Sequence, residues 1–185
     1  RWVVGGAINN GGVLFRWVRD ELATKEADEA RRAGRDPYDA LTELAEQAPA
    51  GAGGLVVLPL FAGERAPYWN ADVRGVFFGL SLAHGKAHMV RAVLEGIGYA
   101  VRSVAEAVEA AAGKPREIRA AGGFARSPFW RQSLADILGA PLIVPDAIES
   151  SALGAAALGL HAVGELPDLN AVTAWSQSSH THEPN

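Results

Sequence analysis

The chain has 185 residues, 49% hydrophobic and 21% charged, enough for a globular domain with a real core. A formal net charge of −4 leaves no basic excess for nucleic acid or an anionic membrane, and no apolar run approaches the roughly 20 residues of a membrane span. Cysteine is absent, which excludes a disulfide framework, a thiolate zinc site and a cysteine nucleophile, and fits a cytoplasmic setting.

Arg1 begins in mid-pattern, with no initiator methionine or signal peptide, so a longer parent chain is expected. Residues 1–4, Arg-Trp-Val-Val, read as the end of a strand or as a loop. Residues 5–12 are turn-rich, with Asn9 or Asn10 as the expected N-cap. Val13, Leu14, Trp17, Val18 and Leu22 then recur at helical spacing. The charged stretch 23–35 reads as a solvated helix end or loop. Asp36-Pro37 is an N-cap followed by proline at the first helical position, and Leu41, Leu44 and Ala48 give that helix its apolar stripe.

Residues 47–54 form a small-residue loop, and the apolar run 55–58 is short enough for a buried strand. The connection 61–74 is long, and loops of that length are typically functional or disordered. Its Tyr68-Trp69 pair argues against disorder. Residues 76–78 read as a strand and 84–112 as one long helix. Met89, Val93, Ile97, Val101, Val104 and Val108 are its expected buried stripe, and Gly113 ends it.

A βαβα run follows. Residues 117–121 are a strand and Gly122-Gly123 a turn. Ser127 caps a helix with Pro128 at its first position and Phe129, Trp130, Leu134, Ile137 and Leu138 on its inner face, and Gly139 stops it. Residues 142–144 are a second strand, and Ser150 or Ser151 opens an alanine-rich helix to His161. This alternation implies an α/β layer fold. From Ala171 the chain is polar and weakly patterned, and a loose tail over 171–185 is expected.

A strand turning at once into a helix at Gly122–Ser127 offers free N–H groups to an anion and lets a flat ligand approach closely. By itself the pattern is more often only a plain tight turn, since it is neither a P-loop nor Gly-x-Gly-x-x-Gly. The loop Gly63-Glu64-Arg65-Ala66-Pro67-Tyr68-Trp69-Asn70 has the charges and aromatics of a binding cleft, or is a structural loop with a salt bridge and a tucked tryptophan. His88 reads as structural rather than as a ligand, and Glu95 as a buried carboxylate pinning a neighbouring loop. His84, His161, His180 and His182 have no metal spacing, and no protein metal site is assigned.

Gly75-Val76-Phe77-Phe78-Gly79-Leu80, then seven residues, then His88-Met89-x-x-Ala92-Val93-Leu94-Glu95 resembles the C-terminal signature of the FGGY family of carbohydrate kinases. A second stretch agrees in order: Gly122-Gly123, Gln132, Asp136, Gly139 and Pro141, then Ala152-Leu153-Gly154-Ala155-Ala156. Gly63-Glu64-Arg65 together with residues 5–12 is most similar to the gluconokinase branch.

The resemblance implies an actin-like, ribonuclease H-like ATPase domain, a central sheet flanked by helices. Residues 1–170 would be the C-terminal, nucleotide-side domain, with the N-terminal sugar-binding domain outside this sequence. It implies ATP as phosphoryl donor, Mg²⁺ carried on the nucleotide phosphates, and a sugar, sugar acid or polyol as acceptor, gluconate above others. Gly122, Gly123 and Ser127 become nucleotide contacts, and Glu64, Arg65, Tyr68 and Trp69 a loop near the interdomain cleft. No catalytic base is expected here, because Asp20, Asp72, Asp136 and Asp146 do not match the family's catalytic position.

Three alternatives stand beside this. One is a xylulose or glycerol kinase of the same family, and another a non-catalytic nucleotide-binding or interaction module. The third is a dinucleotide-dependent oxidoreductase, disfavoured by the missing glycine fingerprint although Asp146 lies near the required offset. Half of a two-domain enzyme should also expose apolar side chains in the opening segment or around Tyr68-Trp69, to be covered by the other domain or by self-association.

Overall fold

The computed structural model describes residues 2–145, 150–176 and 179–185. The chain divides into two compact units, Arg1–Pro115 and Arg116–Asn185.

The first unit is mainly helical. Helix α1 (Gly12–Trp17) buries Leu14 and Phe15 and runs into a π-helical turn, Val18–Leu22, that buries Val18. The expected asparagine cap is not there: Gly11 precedes α1 and makes no side-chain cap bond. Asn9 and Asn10 instead bond to residues 62–64. The charged stretch 23–35 is a true helix, α2 (Thr24–Arg32), rather than a loop. Its inner face is only Ala27 and Ala30, too small a signal to stand out among so many charges. Helix α3 (Pro37–Glu46) begins as the sequence predicts, with the Asp36 carboxylate accepting from the Tyr38 N–H at 2.9 Å.

Strands β1 (Val56–Leu58) and β2 (Val76–Phe78) form an antiparallel pair with Val56 opposite Phe78 and Leu58 opposite Val76. Val57 points into the core, while Val56, Leu58, Val76 and Phe78 are exposed. Helix α4 (Lys86–Ala112) is the spine of this unit. Its burial departs from the single stripe the sequence predicts. Val93 and Ile97 are buried, but Met89, Val101, Val104 and Val108 are half-exposed. Around residues 92–98 the helix is buried on every side because it lies against α3 and β1.

Gly96 explains how close that approach is. A Cβ placed there would stand 2.6 Å from the Val57 carbonyl oxygen, a backbone atom that cannot swing aside. Gly96→Ala is therefore expected to destabilise by about 1–3 kcal/mol, although alanine is the better helix former. Denaturant unfolding of the two forms measures it. Leu14, Phe15, Val18, Leu41, Leu55, Val57, Val90 and Leu94 complete the core.

Glu95 behaves as its position in the apolar run implies. Its carboxylate accepts from Arg91 Nε at 2.7 Å and from the Gly51 N–H at 3.1 Å, and the Arg91 guanidinium donates to the Ala48 carbonyl at 3.2 Å. A buried ion pair thus ties α4 to the loop leading into β1, and every polar atom named here has a partner.

In the second unit, β3 (Ile118–Arg119) pairs in parallel with β4 (Leu142–Pro145). Helix α5 (Pro128–Leu138) lies between them in sequence, and Gly139 ends it in the left-handed conformation, φ 63°. Helix α6 (Ser150–Ala162) follows, and Asp146 lies outside the described residues.

Part of the segment expected to be a loose tail is ordered. Residues Ser179–His182 form β5, antiparallel to β4, so the sheet order is β3-β4-β5. Gln132 Nε2 donates to the Glu183 carbonyl at 2.6 Å, and the Asn185 N–H to the Asp136 carboxylate at 2.9 Å. Main-chain bonds to a free strand edge need no apolar side chain, so polarity alone misjudges such a strand.

His182 on β5 sets a pH dependence. Burial, then the charge of Arg131, then His180 hold its pKa below the ordinary 6.5. Its Nε2 and Arg131 Nε are both buried without a hydrogen-bond partner among the described residues. The unfolded chain takes up the proton near pH 6.5 and the folded chain only lower, so the unfolded state binds more protons in that window. Stability is therefore expected to fall as pH drops below 6.5, and His182→Asn to flatten that slope in thermal melts.

Candidate functional site

The turn at 122–127 is built by the end of β3. The Ala120 N–H donates to the Ile143 carbonyl at 2.9 Å, fixing the chain as it leaves the sheet. Gly122 then takes φ 105°, a backbone state that L side chains rarely adopt. A single 3₁₀ turn, Gly123–Arg126, follows, with the Ala125 N–H bonded to the Gly122 carbonyl at 2.9 Å. Ser127 caps α5, its hydroxyl oxygen accepting from the Trp130 N–H at 3.2 Å. Beneath the turn Ala125 is buried, and Phe124 meets Trp130 edge to face at 6.0 Å.

Two features of this turn bear on ligands. Gly123, unlike Gly122, has no left-handed φ, so its backbone does not require glycine. A Cβ added at either position would meet nothing within 4 Å. The floor of the turn is packed on Ala125, Phe124 and Trp130, and its outer side is open. A flat ring can lie against it, and the first N–H groups of α5 point the favourable way for negative charge.

The loop after β1 is anchored by a knot the sequence did not reveal. Asn10, almost fully buried, donates to the Gly63 carbonyl at 2.7 Å and accepts from the Ala62 N–H at 2.9 Å. The buried Glu64 carboxylate accepts from the Asn9 N–H at 2.7 Å and from the Arg65 N–H at 2.8 Å. Arg65 Nε returns the link to Asn9 Oδ1 at 2.8 Å, and the Ala66 N–H bonds the Ala7 carbonyl at 3.0 Å. No local signal in the sequence could have found it, because the same two asparagines suit a helix cap equally well.

The four loop residues are thus brought together but not used alike. Glu64 faces inward and acts as an acceptor for main-chain groups. Arg65, Tyr68 and Trp69 face solvent, and Trp69 is 73% exposed, so it is not the tucked tryptophan of the structural reading. Trp2, Val3 and Val4 are also exposed.

The remaining candidates are structural. His88 Nδ1 accepts from the Gly85 N–H at 3.2 Å, capping its own helix. His84 lies edge to face with His88 at 5.4 Å and bonds Gly53 and Ser81. His161 bonds the Leu166 carbonyl at 2.7 Å. The Arg19 guanidinium, by a 2.6 Å hydrogen bond, holds the Asp20 carboxyl below the usual carboxylate range. Among the described residues no group of three His, Asp or Glu side chains can hold a metal ion, and no helix is long and apolar enough to cross a membrane.

Residues 1–163 match the C-terminal domain of the FGGY family of carbohydrate kinases. The chain is 50% identical over 184 residues to a gluconokinase of Bacillus licheniformis, covering 99% of this chain and 36% of that protein. Its fold superposes on a ligand-bound xylulose kinase from Lactobacillus acidophilus with a TM-score of 0.80 and 37% identity, over 97% of this chain and 35% of the other. A gluconate kinase from the same organism gives a TM-score of 0.79 and 37% identity, with the same coverage.

The fold is therefore that of the actin-like, ribonuclease H-like ATPases, as the family resemblance implied. The chain belongs to the FGGY family of carbohydrate kinases. It spans about a third of the length of the relatives it matches.

Proposed function

We propose that this chain is the nucleotide-side part of an ATP-dependent carbohydrate kinase whose acceptor is a sugar acid, gluconate, with 6-phosphogluconate as product. The observation that carries the reading is the 50% identity to a gluconokinase along essentially the whole chain. The open glycine turn supports the same reading, because it offers the adenosine of ATP an unobstructed floor at Gly122 and Gly123 with Ser127 beside it.

In this account the acceptor hydroxyl oxygen bonds to the γ-phosphorus as the bond to the bridging oxygen breaks, and ADP leaves. Mg²⁺ accompanies the nucleotide phosphates. The residues here bind and orient. The base that takes the hydroxyl proton, and most sugar contacts, belong to an N-terminal domain of the parent chain. Arg65, Tyr68 and Trp69 line the cleft side of the loop that the Asn9–Glu64 knot holds. Closure of the two domains excludes water and aligns donor and acceptor. The enzyme works in the cytoplasm. The exposed Trp2, Val3, Val4, Tyr68 and Trp69 mark the face that meets the N-terminal domain and through which copies of this chain associate when that domain is lacking.

The test is ADP release by the full-length protein with gluconate, xylulose and glycerol. Gluconate is expected to lead in kcat/KM by at least about tenfold. Preference for xylulose or glycerol would overturn the substrate, and absence of transfer to all three would overturn the kinase reading.

A further inference from the structure

Strand β5 reads Ser-His-Thr-His, and its first three side chains are exposed. His182 alone turns away from solvent, and its Nε2 is closed off completely. An edge strand that needed only adhesion would place an apolar side chain there. This one places an ionisable ring beside Arg131, whose Nε is likewise buried without a hydrogen-bond partner among the described residues. The rest of the hold is polar. β5 runs along β4 from Leu142 opposite His182 to Pro145 opposite Ser179. Beyond it, Gln132 on α5 takes the Glu183 carbonyl at 2.6 Å, and the Asn185 N–H reaches Asp136 at 2.9 Å.

We infer that residues 179–185 are an acid-released strap, seated on β4 and α5 while the His182 ring is neutral and freed when that ring takes up a proton. Protonation makes both ring nitrogens donors, and Nε2 then has no acceptor within a site that already faces a guanidinium. Among the described residues, no free charge offsets this. β4 contributes only Leu142, Ile143, Val144 and Pro145. On α5, the Asp136 carboxylate already accepts from Gln132 Nε2 and from the Asn185 N–H, both at 2.9 Å. On the strap itself, His180 adds like charge and Glu183 is exposed. The same surroundings hold the His182 pKa below 6.5, burial first and then Arg131 and His180. The seated strap therefore binds fewer protons than the released one, and acid favours release. An edge strand can leave without undoing the β3–β4 pairing, so the opening is local rather than an unfolding of the whole unit.

Hydrogen exchange of the full-length protein at pH 7.5 and pH 5.0 tests this, each rate taken relative to the denatured chain at the same pH. One proton site shifts the opening equilibrium by at most about tenfold per pH unit below 6.5. Protection over residues 179–185 is therefore expected to fall between about fivefold and about 30-fold, while residues 128–138 of α5 lose under about twofold. In His182→Phe the strap is expected to keep its protection at pH 5.0. His182→Gln is measured beside it, in case the phenyl ring does not fit. Strap protection unchanged by acid in the unsubstituted protein would overturn the inference. So would an equal loss over α5, which would make the effect a destabilisation of the whole unit. The same acid loss in a folded variant would assign the titration to another group and overturn it as well. The readout depends on neither substrate nor nucleotide, so it stands apart from the kinase reading.

Discussion

Replacing Glu64 by alanine is expected to lower stability of the first unit by about 3 kcal/mol, the largest loss among single substitutions in the loop after β1. The carboxylate is buried and accepts from the Asn9 and Arg65 main-chain N–H groups at 2.7 and 2.8 Å. Removing it leaves both main-chain donors without their carboxylate partner. Glu64→Gln keeps an acceptor oxygen at that point and is expected to lose about 1 kcal/mol, because its new NH₂ must face the Asn10 amide nitrogen 3.5 Å away. Denaturant unfolding of the three forms decides it. Equal stability of all three would mean that the knot is decorative.

Gly123→Trp is expected to weaken ATP binding by at least about 100-fold while changing stability by under about 1 kcal/mol. The two effects separate because of where the glycine sits. Its backbone is not left-handed and a Cβ there would meet nothing within 4 Å, so a side chain can leave the backbone without a clash. On the proposed reading the adenosine would be displaced, since the indole would occupy the floor on which the base is to lie. Gly122→Ala is the contrasting change: φ 105° makes any side chain there strained, so loss of binding would mix with loss of structure. Calorimetry of ATP binding beside thermal melting reads both quantities. Undiminished binding by the tryptophan form would remove the nucleotide from this turn.

Where the sequence was legible, a short-range rule decided the structure. Asp36-Pro37 and Ser127-Pro128 start their helices as the capping rules require, and Gly113 and Gly139 end theirs. Glu95 could be placed because a carboxylate inside an apolar run must find partners, and it found Arg91 and Gly51. What stayed hidden was long-range. Asn9 and Asn10 meet residues more than 50 positions away, and nothing local distinguishes a buried asparagine from a cap. β5 is bonded through its backbone to β4, so its side chains carry no apolar alternation to read. The extent of burial along α4 depended on which neighbours press on its middle, at Gly96 against Val57, and that is a tertiary fact. The glycine turn was visible as a motif, but only its geometry distinguishes Gly122, which the backbone needs, from Gly123, which it does not.

The most direct measurement is hydrogen exchange on the full-length kinase with and without ATP and Mg²⁺, resolved along the chain. The account predicts that added nucleotide slows exchange in peptides spanning residues 120–130, where the turn and the start of α5 lie. Clear nucleotide binding that leaves those peptides unchanged, with protection appearing only elsewhere, would contradict it.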